Sequence, residues 1–293
     1  MFDWIDRLPR ARFGLLLALP SAIFLFGVIL YPLVNLITTS LQTHDELFQA
    51  SFVGLGNYQM VFHDARFWQD LGRSFLYTIG SILIFFPSGF AVALALNRIG
   101  RFETLFRGIS LLPWAIPPVT AAMMWRWSLN GQYGIVNDWL LRLHLVSEPI
   151  NWLTNGILAL LVIIAVDAWI RIPFTALLLL AGLKAIPGDL YESASMDGAG
   201  AIASFRHITL PLLRYPISII LALQTMFAFR TYDIQAVLTG GGPGTATELL
   251  VKYIHDAAFR SFDFGTASAV SIIMLLFCFL FVLFYFKVLQ VKV

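Results

Sequence analysis

The sequence predicts an all-α, polytopic membrane protein, and three observations carry that prediction. Hydrophobic residues make up 59% of the 293 and charged residues 12%, with a mean hydropathy of +0.80, whereas a soluble domain is about 45–50% apolar and about 25% charged. Six stretches are each long enough to cross about 30 Å of hydrocarbon at about 1.5 Å per residue. Lys and Arg gather in alternate connecting segments, as they do in the cytoplasmic loops of membrane proteins.

The six predicted transmembrane helices fall at about 14–37, 74–96, 108–129, 156–183, 212–230 and 266–286. The third and fourth contain charged residues. The first is too long for the apolar core of a signal peptide and lacks a small-residue cleavage site, so it is read as a retained helix. Residues 1–13 then form a cytoplasmic N-terminal segment and 14–293 one transmembrane domain. With the N-terminus inside, the inner segments hold Arg7, Arg10, Arg12, Arg98, Arg101, Arg107, Lys184, Arg206, Arg214, Lys287 and Lys292. The outer ones hold Arg66, Arg73, Arg126, Arg142, Lys252 and Arg260. Six crossings return the C-terminus to the cytoplasm. Extracytoplasmic loops are expected at about 38–73, 130–155 and 231–265, and an inner loop at about 184–211. Glu46 and Gly241 then lie outside and Ser195 inside.

Several function classes are excluded. A net charge of +2 gives no nucleic-acid footprint. The single cysteine, Cys278, cannot form an intramolecular disulfide and has no partner for a Cys-based metal site, so it reads as a small apolar residue in the last helix. The histidines at 44, 63, 144, 207 and 255 are scattered, and no nucleophile–base pair or metal-ligand spacing stands out. No catalytic residue and no metal ligand is assigned. The run Thr239-Gly240-Gly241-Gly242-Pro243-Gly244 lacks the Gly-Lys-Ser/Thr of a phosphate loop and reads as a tight turn that can also shape a partner-binding surface. A helical stretch is expected after it, from Thr247 to Phe259.

The inner loop carries the most specific spacing in the chain: Glu192-Ser193-Ala194, then Gly198, then Ile208-x-Leu210-Pro211. Asp189-x-x-Glu192 has the form of a capping box, with Asp189 accepting from the Glu192 amide, so a helix should start at about Leu190. Its following residues are nearly all small, which lets another protein's surface approach closely. Gly198 and Gly200 permit a turn, and Pro211 suits the first turn of the fifth membrane helix. Glu192 read only as a helix cap leaves the rest of the spacing unexplained.

This spacing resembles the EAA loop of the permease subunits of ATP-binding cassette importers, with Ser193 at the position where Ala is commonest. Leu111-Leu112-Pro113-Trp114-Ala115-Ile116-Pro117-Pro118 with Trp125-Arg126-Trp127, Ile172-Pro173-Phe174 with Ala185-Ile186-Pro187, and Thr231-Tyr232-Asp233 with Leu238-Thr239-Gly240-Gly241-Gly242-Pro243 are similar to successive blocks of the carbohydrate-importer permeases, such as the first permease subunits of the maltose, trehalose and glycerol-3-phosphate systems. The likeness runs from about Phe52 onward. It implies a second homologous permease, two copies of a cytoplasmic ATP-binding subunit, an extracytoplasmic solute-binding protein, a sugar or sugar-like substrate, and the inner membrane of a bacterium or archaeon. It also implies that Glu192, Ser193, Ala194, Asp197, Gly198, Ile208, Leu210 and Pro211 couple to the ATPase. Gly240, Gly241, Gly242 and Pro243 are candidates for docking the binding protein. The chain has no Walker A sequence, so ATP and Mg would be used by the partner ATPases and no cofactor is expected on this chain.

Within the membrane, Asp167 and Arg171 are the costly residues, at roughly +2.5 to +3.5 kcal/mol each near a helix centre. Four apart on one helical face, they can pair. Asp167 lies about 16 Å along the helix from Gly156, near the midplane. The pair reads as a structural ion pair, as the lining of a polar sugar path, or as a proton relay. Trp125, Trp127, Trp139 and Trp152 fall near the outer interface, where belt anchoring competes with sugar stacking. Trp169, Phe227, Arg230 and Tyr232 are the further candidates for a cavity. Two other classes compete with an importer: an ion-coupled secondary transporter using Asp167, which has no need of the EAA spacing, and a signalling membrane subunit, for which no substantial cytosolic domain is present.

Overall fold

The computed structural model describes residues 10–44 and 50–289, so Arg7, Glu46 and Lys292 lie outside the described residues. Helix α1 (Arg10–Leu25) passes through a widened turn at Phe26–Leu30 into α2 (Tyr31–Ser40), followed by strands β1 (Gln42–His44) and β2 (Ala50–Phe52) and helix α3 (Gly56–His63). Then come α4 (Ala65–Arg98), α5 (Glu103–Ser110), α6 (Leu112–Ala115), α7 (Pro118–Ser128), α8 (Ile135–Arg142) and α9 (Gly156–Lys184). The remainder is α10 (Asp189–Met196), α11 (Ala201–Ser204), a second widened turn at Phe205–Thr209, α12 (Leu210–Leu212), α13 (Arg214–Phe229), α14 (Asp233–Leu238), α15 (Leu250–Phe259) and α16 (Phe264–Val288).

Among the described residues, four helical stretches are long and apolar enough to cross a membrane: Leu17–Ser40, Ala65–Arg98, Gly156–Lys184 and Phe264–Val288. Ala201–Leu212 and Arg214–Phe229 make a fifth if they are taken together through their 65° bend. The expected third span, 108–129, is not one helix but the three pieces α5, α6 and α7. Pro117 causes the break between α6 and α7: the residue before a proline is driven out of the α region, and Ile116 is extended at φ −79°, ψ 128°. Pro117 and Pro118 also remove two successive backbone donors.

The fifth span departs from expectation as well. Pro211 sits in α12, on the near side of the bend, and not in the first turn of α13; the break itself falls at Leu213. The capping box at Asp189 is not formed. No side chain caps α10, and the carbonyl of Gly188 takes the amides of Tyr191 and Glu192 at 2.8 and 3.1 Å instead, which leaves Asp189 inside the first turn.

The chain divides into two compact units. In the first, which comprises the described residues up to His63 and Asp256–Ile272, β1 and β2 pair antiparallel with Gln42 opposite Phe52. Asn57 donates to the carbonyls of Ser40 and Gln42, both at 2.8 Å, and Gly265 comes so close that a Cβ there would stand 2.7 Å from the Asn57 Nδ2.

The second unit, Asp64–His255 with Ile273 onward, is organised by α4 against α9. Asp64 caps α4 by accepting from the Arg66 amide at 2.8 Å, and Asn155 caps α9 by accepting from Ile157 and Leu158 at 3.0 and 3.1 Å. Lipid is as apolar as a leucine side chain, so helix association in a membrane relies on close packing at small residues. Gly80 and Gly89 provide it: a Cβ at Gly80 would stand 2.9 Å from Ile164 Cδ1, and one at Gly89 would stand 2.8 Å from Thr175 Cγ2. Two apolar clusters flank this seam, one around Tyr77, Ile163 and Ile234, the other around Leu179, Leu213 and Ile220. The loop between α8 and α9 closes on Asn137, which bonds the backbone of Asn130 and Ile150 and accepts from the Trp152 indole at 3.1 Å.

Candidate transport cavity and coupling loop

A cavity of about 330 Å³ opens beside the middle of α9, lined from α6 and α7 by Trp114 and Pro118, from α9 by Asp167, Arg171 and Phe174, and from α13, α14 and the turn between them by Gln224, Phe227, Arg230 and residues 231–234. Its floor is a connected polar network. Arg171 Nε donates to Asp167 Oδ2 at 2.7 Å, and its two terminal nitrogens donate to Gln224 Oε1 at 3.1 Å and Thr231 Oγ1 at 2.9 Å. Gln224 in turn donates to Thr175 Oγ1 at 3.1 Å. The Asp167 side chain is 1% exposed and that of Arg171 is 12% exposed. Such burial is tolerable because the two charges pair with each other and each of the three guanidinium nitrogens makes a hydrogen bond.

Flat apolar faces surround this floor. Trp114 stacks on Phe174 with ring centroids 5.6 Å apart and planes 17° apart. The guanidinium groups of Arg171 and Arg230 each lie 5.9 Å from the Phe227 ring centroid. Tyr232 stacks on His255 at 4.6 Å. Polar groups beside aromatic faces suit a solute that presents both hydroxyls and C–H surfaces.

The structure gathers Asp167, Arg171, Phe227, Arg230 and Tyr232 around one space. Trp169 is elsewhere, packed edge-on against Trp125 in the core at 5.6 Å, because two residues along a helix from Asp167 is about 200° around it. Sequence reasoning about the cavity did not include Trp114, Phe174, Gln224, Thr231 and Asp233. A signal for four of them was present: the Leu-Pro-Trp, Ile-Pro-Phe and Thr-Tyr-Asp blocks each deliver a residue to this cavity.

At the loop that follows α9, the small-residue helix α10 leaves Leu190 and Met196 exposed. It ends where Gly198 takes φ +81°. The amide of Ala199 reaches the carbonyl of Ala194 at 2.8 Å and that of Gly198 reaches Ser195 at 3.1 Å, the pair of bonds that closes a helix with a left-handed glycine. Of the loop's other candidate positions, Glu192, Ser193, Asp197 and Gly198 are exposed, Leu210 is 40% exposed, and Ile208 and Pro211 are half-buried.

The glycine run is a closed knot. Thr247 Oγ1 meets Thr239 Oγ1 and donates to the Gly242 carbonyl, both at 2.7 Å. Gly241 is buried in it, with Glu248 Cγ and Lys252 Cε within 2.9 Å of where a Cβ would stand, while Gly240 is exposed and Gly242 and Pro243 are half-buried.

A protein with several membrane-length apolar helices, and a charged and aromatic cavity beside the middle of one of them, is a membrane transport component. Residues 86–290 match the binding-protein-dependent transport system inner membrane components, and the chain belongs to that family. It is 38% identical over 274 residues to the sulfoquinovosyl glycerol transport system permease protein SmoG of Agrobacterium fabrum, covering 92% of this chain and 88% of the relative. It is also 38% identical over 281 residues to the trehalose/maltose transport system permease protein MalF of Thermococcus litoralis, covering 95% of this chain and 94% of that one. A solved bacterial transporter for the import of the acidic polysaccharide alginate shares the fold, with a TM-score of 0.80 and 22% identity over 99% of both chains. The chain is therefore a transport subunit, and the ATPase activity of such systems lies in a separate subunit. Membership in a binding-protein-dependent family removes the ion-coupled reading of Asp167 and Arg171.

Proposed function

We propose that this chain is the membrane subunit of an ATP-driven importer for a sugar or sugar-like solute, working by alternating access, with the cavity between α6, α9, α13 and α14 as its part of the substrate path. The observation that carries the proposal is the meeting of the stacked Trp114 and Phe174 rings and the Phe227 face with the hydrogen-bonded set Asp167, Arg171, Gln224 and Thr231. Sugars are bound by such combinations of flat apolar faces and oriented polar groups. Relatives named for sulfoquinovosyl glycerol and for trehalose and maltose support the same substrate class.

The arrangement we propose has six crossings of a bacterial or archaeal inner membrane, with the broken segment α5 to α7 as the third and the bent pair as the fifth. Residues 1–13 and the C-terminus lie in the cytoplasm, and 14–293 form one transmembrane domain. The loop of about 184–211 docks one of two cytoplasmic ATP-binding subunits through Glu192, Ser193, Ala194, Asp197 and Gly198, with Ile208, Leu210 and Pro211 carrying the motion onward. A second homologous permease completes the pathway. A solute-binding protein docks outside, at the surface shaped by Gly240, Gly242 and Pro243. ATP and Mg act in the partner subunits, and lipid covers the outer apolar faces. The solved alginate importer in complex with its pentasaccharide-bound periplasmic protein supports the docking of a solute-binding protein by analogy of fold.

The test is co-purification from mild detergent, followed by a sugar panel on the recovered binding protein and uptake assays on Trp114→Ala and Phe227→Ala. A binding protein that takes a sugar, with uptake falling in both variants, supports the reading. One that takes only amino acids or peptides would sink the sugar assignment.

A further inference from the structure

We infer that the hydrogen bond between Tyr191 and Thr209 is the joint through which α10 moves α13, which makes both of them positioning residues for transport. This rests on the proposed docking of α10 on the ATPase. The two hydroxyls are 2.8 Å apart, with Thr209 4% exposed. Among the described residues it is the one hydrogen bond or ion pair that a side chain of α10 makes to another element.

The covalent route between the same two helices turns at two glycines. It runs through Gly198, at φ +81°, and Gly200, and nothing lies within 4 Å of a Cβ built on either. Glycine backbone is the least restricted of any residue, so a side-chain tie across the turn gives a displacement of α10 a more direct route to the next helix. Thr209 is well placed to receive it. It ends the widened turn Phe205–Thr209, one turn before the 65° bend. At the bend Leu213 is fully buried against α9, where a Cβ on Gly182 would stand 2.8 Å from the leucine Cδ2. With Leu213 seated as a pivot, motion delivered at Thr209 on one arm reaches the other arm, which ends at Gln224 and Phe227 in the cavity.

The test uses the complete transporter, with its ATPase and binding protein, in proteoliposomes. It reads solute imported per ATP hydrolysed and the amount of ATPase that co-purifies. Tyr191→Phe and Thr209→Val should each keep the ATPase bound and hydrolysing while the import ratio falls about fivefold, which is what one hydrogen bond of ordinary net strength is worth. The double variant should be no worse than either single, since both remove the same bond. Thr209→Ser, which keeps the hydroxyl, should retain the wild-type ratio. An unchanged ratio in the two single variants overturns the joint. So do losses that multiply in the double variant, a Thr209→Ser ratio as low as that of Thr209→Val, or loss of the ATPase from Tyr191→Phe. Met196→Asp separates the underlying reading from this one. If the ATPase stays bound and uptake is normal in Met196→Asp, docking through α10 is wrong; if it is lost there while Tyr191→Phe keeps a normal ratio, only the joint is wrong.

Discussion

Gly89 lets Thr175 sit directly against the backbone of α4: a Cβ on the glycine would stand 2.9 Å from the threonine Cβ and 3.2 Å from the carbonyl oxygen of Ile172. This contact supports the cavity, because Thr175 holds Gln224 and Gln224 holds Arg171. Neither a Cβ nor a carbonyl can swing aside. Gly89→Ala should therefore push α4 and α9 apart, costing about 1–3 kcal/mol as overpacking does, and should lower uptake without any change to a cavity-lining residue. Thermal unfolding in detergent checks the first effect. An unchanged Tm would show that the helices separate freely here.

Asp167 and Arg171 form the network's charged centre, and removing one partner strands the other. Asp167→Asn or Arg171→Gln alone should damage assembly, by about 3–5 kcal/mol for a broken buried pair. The double variant should assemble again. If the pair lines the substrate path, as proposed, the assembled double variant should transport poorly or with altered sugar preference. Wild-type uptake kinetics in it would reduce the pair to a structural role.

These two networks differ in how far they could be read from the chain. The Asp167–Arg171 bond is local, four residues on one helical face, and helical periodicity alone predicts it. The bonds from Arg171 to Gln224 and Thr231 span 53 and 60 residues, and no period within one helix points to them. Trp169 shows the converse error, since nearness in sequence to the charged pair placed it on the opposite face. The broken third span was partly visible in Pro117 and Pro118, but average hydropathy does not register a backbone break. The left-handed turn at Gly198 was legible because glycine is the residue that adopts it without strain. The failed capping box was not, because Gly188 supplies the same hydrogen-bond acceptor from its backbone.

Topology is open to thiol labelling in a background where Cys278, itself buried, is replaced by Ser. A cysteine at Thr245, exposed beside the glycine knot, should react with an impermeant reagent from outside. Gly241 is unsuitable for this purpose, since a side chain there meets Glu248 and Lys252. A cysteine at Ser195, exposed on α10, should react only after permeabilisation. The reverse pattern would overturn the orientation read from Lys and Arg, and the docking of α10 with it.

The last prediction concerns how α10 ends. Gly198 has φ +81° and open space around its Cβ position, so a side chain there meets two separate penalties: backbone strain of about 1–2 kcal/mol and bulk projecting from the surface proposed to seat the ATPase. Gly198→Ala isolates the first, since a single methyl brings the strain of the left-handed region with little bulk, and Gly198→Leu adds the second. Gly198→Leu should abolish uptake and reduce co-purified ATPase while inserting normally, and Gly198→Ala should keep most of both. Glu192→Ala should be mild, because Glu192 makes no cap in α10 and its loss removes at most a contact with the partner. Equal uptake in Gly198→Leu and wild type, with insertion verified, would mean that this face of α10 is not in contact with a partner during transport.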